Sequence, residues 1–428
     1  MKKITFILAS FLPVLSFAGG FQLNLQGLKA VAMGGAFAGA CSDASSVFFN
    51  PGGMSNLSGH NFTVGFNLVD PHVSLQTAST ANIDQTSPKA TPIHLYYVGQ
   101  VTDKLNFGFL VNNQFGSSSS FEDDWQGRYI IQNISLKTFM FQPTVSYKIH
   151  DLVSVGGGFV YTKGSFSTEK AIPVASASTT EGKAHLEGSG DGVGYNIGIY
   201  SQFLTLGDET KQTKFAIGLD YRSKLAVDLG NGTAEFTDIP NSLRDKFPEK
   251  TTFTSKITLP SVFTVGISAK HIITDKWSLE LVYDLNMTGW SSYDTLAFNF
   301  DNNETPDSKV TKDWENVMTH RLGADFTYKN KYSVRAGLYI DNTPMKDGFV
   351  SPELPGMTQT AYTAGLGYKV NEAISVDFSY IRQNADREAS LDDANWSAKY
   401  KRIVNVYGLA LNIKFGDKPA KEGQPSIE

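Results

Sequence analysis

The sequence predicts an all-β membrane protein: a fourteen-stranded antiparallel transmembrane β-barrel plugged by a small N-terminal hatch. Three observations predict this fold. Apolar and polar residues alternate with a period of two from His60 onward, the candidate strands are even in number, and short connections alternate with long ones. Charged residues make up 18% of the chain, whereas soluble globular proteins average about a quarter. The net charge of −5 gives no indication of nucleic-acid binding.

The N-terminus has the pattern of a signal peptide over residues 1–18. Lys2 and Lys3 precede an apolar stretch, Ile4–Phe17, and small residues lead to an expected cleavage after Ala18. The apolar stretch is too short to remain as a membrane anchor. The only cysteine is Cys41, so we expect no intramolecular disulfide. An exported chain of this kind is periplasmic, secreted, or located in the bacterial cell outer membrane, and the strand pattern favours the outer membrane.

The segment that follows, Gly19–Gly59, is rich in Gly, Ala and Ser and has no clean hydrophobic period. It contains a turn, Asn50-Pro51-Gly52, in which proline fixes φ and glycine relaxes the backbone. A segment of small residues placed before a barrel-sized β-region predicts a plug inside that barrel. The alternative interpretation is a glycine-rich core helix over Leu28–Cys41.

Residues 60–415 contain the predicted barrel, and a polar tail follows at 416–428. In Trp277–Met287, for example, Trp277, Leu279 and Leu281 point one way while Ser278 and Glu280 point the other. The fourteen candidate strands lie near residues 60–69, 92–101, 104–113, 136–148, 151–163, 188–204, 212–223, 257–271, 276–288, 317–328, 332–341, 359–370, 373–383 and 403–415. Lipid cannot hydrogen-bond exposed backbone groups, so such a sheet must close on itself.

Charged residues fall on the non-apolar face of these strands. In a barrel that face lines the lumen, and in a soluble β-sandwich it would be the solvated surface. The residues concerned are Asp220, Arg222, Asp325, Arg335 and Asp377. The alternation of short links with long ones decides for the barrel, because periplasmic turns are short and extracellular loops are long. The short links are at Thr102-Asp103, Ile149-His150, Gly207–Lys211, Ile272–Asp275, Lys329–Lys331 and Asn371-Glu372.

Several stretches together resemble the FadL-type family of outer-membrane transporters for long-chain fatty acids and other hydrophobic compounds. They include GFQLNLQG and DASSVFFNPGGMSNL in the predicted plug and FEDDWQGRYIIQNISLKTFMFQPTVSYK in the barrel, and the resemblance runs from Gly20 to Phe415. It implies a barrel with an N-terminal hatch, loop capture of a hydrophobic ligand, an internal pocket, and lateral release. Release is implied where the third strand kinks beside the turn Asn50-Pro51-Gly52. We expect that strand at Lys104–Asn113, with Gly108 as the weak point of its ladder.

The resemblance also suggests ligand-binding residues. Phe21 is expected to place the tip of the plug in an apolar pocket. Lys163, Lys170 and Arg128 are candidates to meet a fatty carboxylate, because a buried anion needs a partner; the alternative for each is a solvated loop or lumen charge. The aromatic residues of the long loops are expected to form a capture surface, and they are Phe115, Phe121, Trp125, Tyr129, Trp290, Tyr293, Phe298, Phe300 and Trp314.

No pattern in the sequence indicates an enzyme, a metal or a cofactor. The seven histidines have no metal-ligand spacing, and no G-x-S-x-G or Walker-type loop occurs at a strand-to-helix junction. Three hypotheses remain: passive uptake of long-chain fatty acids, uptake of aromatic hydrocarbons or other small apolar compounds, and a surface adhesin or structural barrel. The expected partners are a hydrophobic ligand and outer-membrane lipid, around a monomeric chain.

Overall fold

Strands dominate the computed structural model, which describes residues 19–79, 82–174, 181–208 and 211–416. The predicted signal peptide at 1–18 lies outside the described residues, as does the predicted tail after residue 416. The strands are β1 (His60–Gln76), β2 (Ile83–Asp84), β3 (Ile93–Gln100), β4 (Leu105–Asn112), β5 (Gly116–Ser120), β6 (Asn133–His150), β7 (Val153–Pro173), β8 (Glu181–Asp208), β9 (Lys211–Arg222), β10 (Leu225–Thr237), β11 (Lys250–Leu259), β12 (Val262–Ile272), β13 (Trp277–Thr288), β14 (Thr295–Phe300), β15 (Ser308–Thr311), β16 (Val317–Tyr328), β17 (Tyr332–Asp341), β18 (Gln359–Lys369), β19 (Ile374–Leu391) and β20 (Trp396–Phe415).

Fourteen of these strands pair in a closed antiparallel ring. The order around the ring is β1, β3, β4, β6, β7, β8, β9, β12, β13, β16, β17, β18, β19 and β20. β20 then pairs with β1 from Phe415 opposite His60 to Lys399 opposite Gln76. Closure pairs the first strand with the last and so removes the sheet edges, as a lipid environment requires. The prediction of a fourteen-stranded barrel is confirmed, and the soluble sandwich is wrong.

The two faces of the barrel wall differ as the alternation predicts. Large apolar side chains such as Val145, Leu322 and Tyr362 are exposed on the outside. The five charged residues assigned to the lumen (Asp220, Arg222, Asp325, Arg335 and Asp377) are all buried. Their burial follows from the filling of the barrel by the N-terminal part of the chain.

The connections between strands differ in length at the two rims of the barrel. Along one rim the strands are joined by short connections, including 101–104, 151–152 and 329–331; residues 209 and 210 of another short link lie outside the described ranges. At the other rim the strands continue well beyond the predicted ends, and β10, β11, β14 and β15 add to the sheet there. The predicted eighth strand at 257–271 is divided at Pro260, since proline cannot donate to a strand ladder.

Residues 19–59, which we call the N-terminal segment, occupy the interior of the barrel. The segment contains helices α1 (Leu28–Ala32) and α2 (Ser46–Phe49) and a 3₁₀ helix, Pro51–Asn56. α1 packs against β17 to β20, and the 3₁₀ helix packs against β4 and β6 to β9. The alternative of one helix over Leu28–Cys41 is wrong, because the helix ends before Gly34, which has a φ of 70°. No helix of the described residues is long and apolar enough to cross a membrane.

Candidate ligand-binding site

Phe21, near the start of the N-terminal segment, lies in an aromatic cage. Its ring is 4.8 Å from that of Trp290, 5.3 Å from Tyr293, 5.8 Å from Trp314 and 6.0 Å from Phe115, measured between centroids. Three of these contacts are edge-to-face, an arrangement that aromatic rings prefer. The ring of Phe21 is therefore held in place by aromatic residues from the wall and from the loop after β13.

A cavity of about 70 Å³ adjoins Phe21 on the side of the long loops. Its apolar lining comes from strands and loops of both halves of the barrel, and includes Ile134, Leu136, Phe166, Ile257, Leu296 and Met345. The cavity is small, and the ring of Phe21 forms part of its lining.

Charged and polar groups also line the same pocket. Lys312 and Glu353 form a largely buried ion pair with 3.7 Å between Nζ and Oε1. Among the described residues, the second carboxylate oxygen of Glu353 and the indole N–H groups of Trp290 and Trp314 have no hydrogen-bond partner. Burial raises the pKa of Tyr293, so its hydroxyl also remains protonated. The indole donor of Trp314 and the ammonium of Lys312 therefore line an apolar cavity, an arrangement that suits the oxygen atoms of a ligand head group.

The third strand of the barrel is interrupted beside this cage, between β4 and β5. β3 pairs with β4 only as far as Asn112, and β5 pairs with β6 alone. The N-terminal segment runs along the interruption: Leu23 N–H donates to Gln114 O at 2.8 Å, and Gly116 N–H donates to Phe21 O at 3.0 Å. The backbone of residues 21–23 thus pairs with residues 114–116, in the place where a neighbouring barrel strand would otherwise pair. These hydrogen bonds would be lost if the arm that carries Phe21 moved.

The side chain of Asn113 holds the two sides of the interruption together. Its Oδ1 accepts a hydrogen bond from Ile93 N–H of β3 at 3.0 Å, and its Nδ2 donates to Thr138 O of β6 at 2.6 Å. Gln26 of the N-terminal segment donates to the backbone carbonyl of Asn113 at 2.7 Å. The interruption is therefore bridged by the side chain of Asn113 in addition to the backbone.

Gly108 is not the weak point of the third strand, which corrects the prediction. It pairs regularly with Val98 on one side and Thr144 on the other. A Cβ at this position would lie 2.7 Å from Met54 Cε and 2.9 Å from Val47 Cγ2. The absence of a side chain thus admits the N-terminal segment against the wall, while the break lies five residues further along, at Asn113.

The turn Asn50-Pro51-Gly52 is docked on β7 and β8. The side chain of Asn50 donates to Ile199 O at 2.9 Å and accepts from Gly52 N–H at 3.0 Å. Ser154 Oγ donates to Gly52 O at 2.7 Å. The turn is therefore held on the wall by hydrogen bonds to β7 and β8, which lie two and three strands further round the barrel from β4.

The predicted basic candidates are not brought together at the pocket. Lys163 is exposed and alternates along β7 with buried Thr162 and Gly164, so it lies on the outer face of the barrel. Lys170 is exposed near the end of β7, where Glu353 acts on its ammonium electrostatically. Neither lysine is among the residues that line the pocket.

Arg128 and Trp125 belong to the packing of the long loops. Arg128 Nε donates to Glu181 at 2.8 Å, and this contact holds the pKa of the Glu181 carboxyl below its usual range. Trp125 is buried, stacks on Phe121 at 4.0 Å, and meets Trp396 edge-on at 5.6 Å. Both residues join the loops to one another at a distance from the cage around Phe21.

The predicted aromatic capture surface is mostly buried, which corrects a second expectation. Of its nine members, seven are buried and Phe300 is half-buried, which leaves Tyr129 exposed. Aromatic rings contribute large areas on burial, so loops that carry many of them form a core of their own. The residues instead make the pocket wall and the packing beneath the loops.

Helix α1 of the N-terminal segment is held by charge. A polar cavity of about 310 Å³ opens at the rim with short connections, and Lys29 of α1 lies in its lining. Lys29 Nζ is 3.6 Å from Glu280 and 3.4 Å from Asp325, and Arg335 Nε is 2.9 Å from Asp325. Breaking a buried ion pair leaves an uncompensated charge, so this network anchors α1 to the wall. Among the described residues no group of three or more His, Cys, Asp or Glu is placed to hold a metal ion.

Comparison with known proteins places this architecture in a family. The family model described as "Outer membrane protein transport protein (OMPP1/FadL/TodX)" matches residues 9–415. The chain belongs to this FadL/TodX family. It is therefore an outer-membrane transport protein, and its barrel is located in the bacterial outer membrane.

Curated relatives of this FadL/TodX chain match almost from end to end. It is 24% identical to the long-chain fatty acid transport protein of Salmonella typhi over 97% of this chain and 98% of that protein. It is 25% identical to outer membrane protein P1 of Haemophilus influenzae over 97% of this chain and 100% of the relative.

Solved structures show the same fold. A Pseudomonas aeruginosa FadL homologue matches with a TM-score of 0.76 at 16% identity, over 93% of this chain and 100% of that one. The Pseudomonas putida toluene transporter TodX matches with a TM-score of 0.72 at 15% identity, over 92% and 99%.

Sequence reasoning missed Lys312, Glu353, Asn113 and Gln26. The two charged residues lie in long loops whose spatial arrangement has no periodic signal. Asn113 closes the predicted third strand, and an Asn at a strand end is a turn signal that was available. The role of Gln26 depends on where the N-terminal segment meets the wall, which strand periodicity does not report.

Proposed function

We propose that this chain is a passive transporter of long-chain fatty acids, in which the ligand exchanges with Phe21 in the aromatic cage. The observation that carries the proposal is the combination of an apolar cavity with the largely buried Lys312 ammonium and the unpartnered indole donor of Trp314. A fatty tail fits the apolar lining, and its carboxylate takes the place of Glu353 beside Lys312. Charge-assisted hydrogen bonds of this kind are stronger than neutral ones.

The same exchange connects the pocket to the wall. When a ligand displaces the ring of Phe21, the hydrogen bonds that join the N-terminal segment to Gln114 and Gly116 are lost. The side-chain bridge of Asn113 is then the remaining contact across the interruption. The ligand leaves sideways into the membrane, so its tail does not cross water. Transport runs down a concentration gradient, in a monomeric chain that does no chemistry on its ligand and requires no cofactor.

Uptake of aromatic hydrocarbons is the second candidate, and the cage itself favours it. Phe21 presents a phenyl ring to Phe115, Trp290, Tyr293 and Trp314. A small arene that replaces this ring keeps the same edge-to-face contacts and needs no ammonium partner. The solved toluene transporter TodX has the same fold. The charged pair of the pocket separates the two candidates.

A double variant, Lys312→Met with Glu353→Gln, tests the proposal. It removes the ammonium without leaving a buried carboxylate unpaired. We expect uptake of radiolabelled oleate by cells that lack other fatty-acid transporters to fall about tenfold or more, the effect of losing a hydrogen bond to a charged group. Toluene uptake should be unchanged.

The matched control is Lys309→Met, which removes an exposed lysine of β15 nearby in the sequence. It should leave uptake of both compounds unchanged. Normal oleate uptake by the double variant would contradict the fatty-acid assignment, and normal toluene uptake with little oleate uptake by the unmodified protein would favour the arene. If the unmodified protein takes up neither, the adhesin interpretation is favoured.

A further inference from the structure

Four buried polar side chains line the inside of the wall beside the strand interruption. Asn67, His94, Asn112 and Gln114 are each at most 1% exposed. Among the described residues, neither ring nitrogen of His94 has a hydrogen-bond partner, and the same is true of the side-chain oxygens of the other three and of Nδ2 of Asn112. Unsatisfied buried polar atoms are costly, so a concentration of them at one place calls for a physical reason.

These side chains form one cluster across three strands. His94 of β3 lies opposite Asn112 of β4 and opposite Gly65 of β1. A Cβ on Gly65 would lie 2.5 Å from His94 Nε2, so the ring leans over β1, where Asn67 follows two residues later on the same face. Gln114 lies two residues beyond Asn112, inside the interruption.

The N-terminal segment covers this cluster. Asn67 Nδ2 donates to Leu25 O at 3.0 Å, and Tyr96 O–H donates to Gln26 Oε1 at 2.9 Å. The ring of His94 stacks on Tyr96 with 5.2 Å between centroids. Gln26 is also the residue that holds the backbone of Asn113. The residues that close the interruption and the unsatisfied groups are therefore in contact with the same short stretch of the segment.

We propose that this cluster is a second ligand site, which binds the uncharged, hydrogen-bonding head group of an amphipathic ligand as it passes through the wall. The cluster offers both donors and acceptors: a neutral imidazole supplies one of each, Asn112 supplies both, and Asn67 and Gln114 supply oxygens. None of the four is a lysine, an arginine or a carboxylate. A carboxylate anion would face acceptor oxygens here, whereas a protonated carboxylic acid or a hydroxyl group donates and accepts.

The position of this site beside the strand interruption matches a role in the lateral release of the ligand. An ionised head group is expensive to move into hydrocarbon, so a fatty acid that enters the membrane sideways does so as the neutral acid, after its carboxylate has taken a proton from solvent water. The pocket beside Lys312 suits the anion, and the cluster beside the interruption suits the neutral acid. The inference rests on the proposed lateral route, and it narrows the ligand class to molecules with a polar end, which excludes plain hydrocarbons from using this site.

Two variants and three probes of equal chain length test the site. His94→Phe keeps the ring on Tyr96 but removes both nitrogens, and Asn112→Leu removes the amide. Uptake of dodecanoic acid, dodecan-1-ol and dodecane is measured in outer-membrane vesicles. A lost buried hydrogen bond should slow the acid and the alcohol about tenfold in each variant and leave dodecane within about twofold.

The control is Thr162→Val on β7, which removes a fully buried hydroxyl that has no partner among the described residues and does not belong to the cluster. Thr162 lies two strands from Asn112, opposite Met140, so the variant tests whether loss of any buried polar group in this part of the wall slows uptake. It should leave all three rates unchanged. Equal slowing of the three probes in His94→Phe and Asn112→Leu would show a structural role and overturn the site. Unchanged uptake of the acid and the alcohol would show that the cluster binds water only. Loss of fatty-acid uptake in the Lys312 and Glu353 double variant is independent of these outcomes, so the two proposals fail separately.

Discussion

Phe21 is the single residue on which the geometry of the pocket depends. Its ring fills the space between Phe115, Trp290, Tyr293 and Trp314 and is itself only 5% exposed. A ligand that binds there must pay the free energy of removing this ring. The state in which Phe21 fills the cage, which we call the closed state, is therefore stabilised by the same contacts that a ligand would make. The affinity for ligand then reflects the difference in free energy between the contacts of the ligand and those of Phe21.

We expect Phe21→Ala to bind oleate more tightly than the unmodified protein. Truncation of a buried Phe to Ala removes about 3–5 kcal/mol of packing free energy. This loss destabilises the closed state, and the ligand then binds without having to displace the ring of Phe21. Titration of the fluorescence of Trp290 and Trp314 with oleate, in lipid nanodiscs, measures the affinity. Phe21→Trp, which keeps an aromatic competitor, is the control and should bind no more tightly than the unmodified protein. Weaker binding by Phe21→Ala would mean that Phe21 holds the ligand instead of competing with it.

At the scale of elements, the N-terminal segment has a fixed part and a part that is held more weakly. α1 is anchored by Lys29 to Glu280 and Asp325. The arm from Phe21 to Leu23 is joined to the wall by two backbone hydrogen bonds and by aromatic contacts. The contacts of the two parts differ in kind, and in the proposed transport cycle the arm is the part that moves.

Two neighbouring glycines of β7 test how closely the turn Asn50-Pro51-Gly52 is docked on the wall. A Cβ on Gly156 would lie 2.5 Å from the backbone of Pro51, whereas one on Gly157 would lie no closer than 3.5 Å to Asn196 O. We expect Gly156→Ala to push the turn off the wall, at an overpacking cost of about 1–3 kcal/mol. Ion conductance in planar bilayers should rise for Gly156→Ala and remain at the original level for Gly157→Ala. Equal conductance of the two variants would mean that the turn does not seal the barrel at this place.

At the scale of the whole molecule, the barrel was predictable because lipid imposes one rule on every strand. Period-two alternation, an even strand number and alternating connection lengths all follow from closure in a membrane, and the fourteen strands lie close to their predicted positions. The charged lumen residues followed from the same alternation. These features are repeated along the chain, so an error in one strand does not change the result.

The site was less predictable, because it depends on contacts between distant parts of the chain. Phe21 was predicted from its place next to the mature N-terminus, but its aromatic neighbours come from the wall and from the loop after β13. Gly108 was expected to weaken the third strand because glycine often does, yet here it admits Met54 against an intact ladder. Lys163 was chosen by its position along the chain and lies on the outer face. The way loops pack and the depth to which a plug enters a barrel leave no periodic pattern in the sequence.

The central claim is that the arm carrying Phe21 must leave the strand interruption before a ligand can pass. Gln22 and Phe115 are bridged across that interface and form a non-hydrogen-bonded pair, whose side chains approach closely enough for a disulfide. The variant Gln22→Cys with Phe115→Cys can therefore be locked by oxidation and released by a reductant. Oleate uptake into outer-membrane vesicles is the direct measurement. The account predicts no uptake in the oxidised form and recovery on reduction, with each single cysteine variant unaffected by redox state; equal uptake by the oxidised and reduced forms would contradict it.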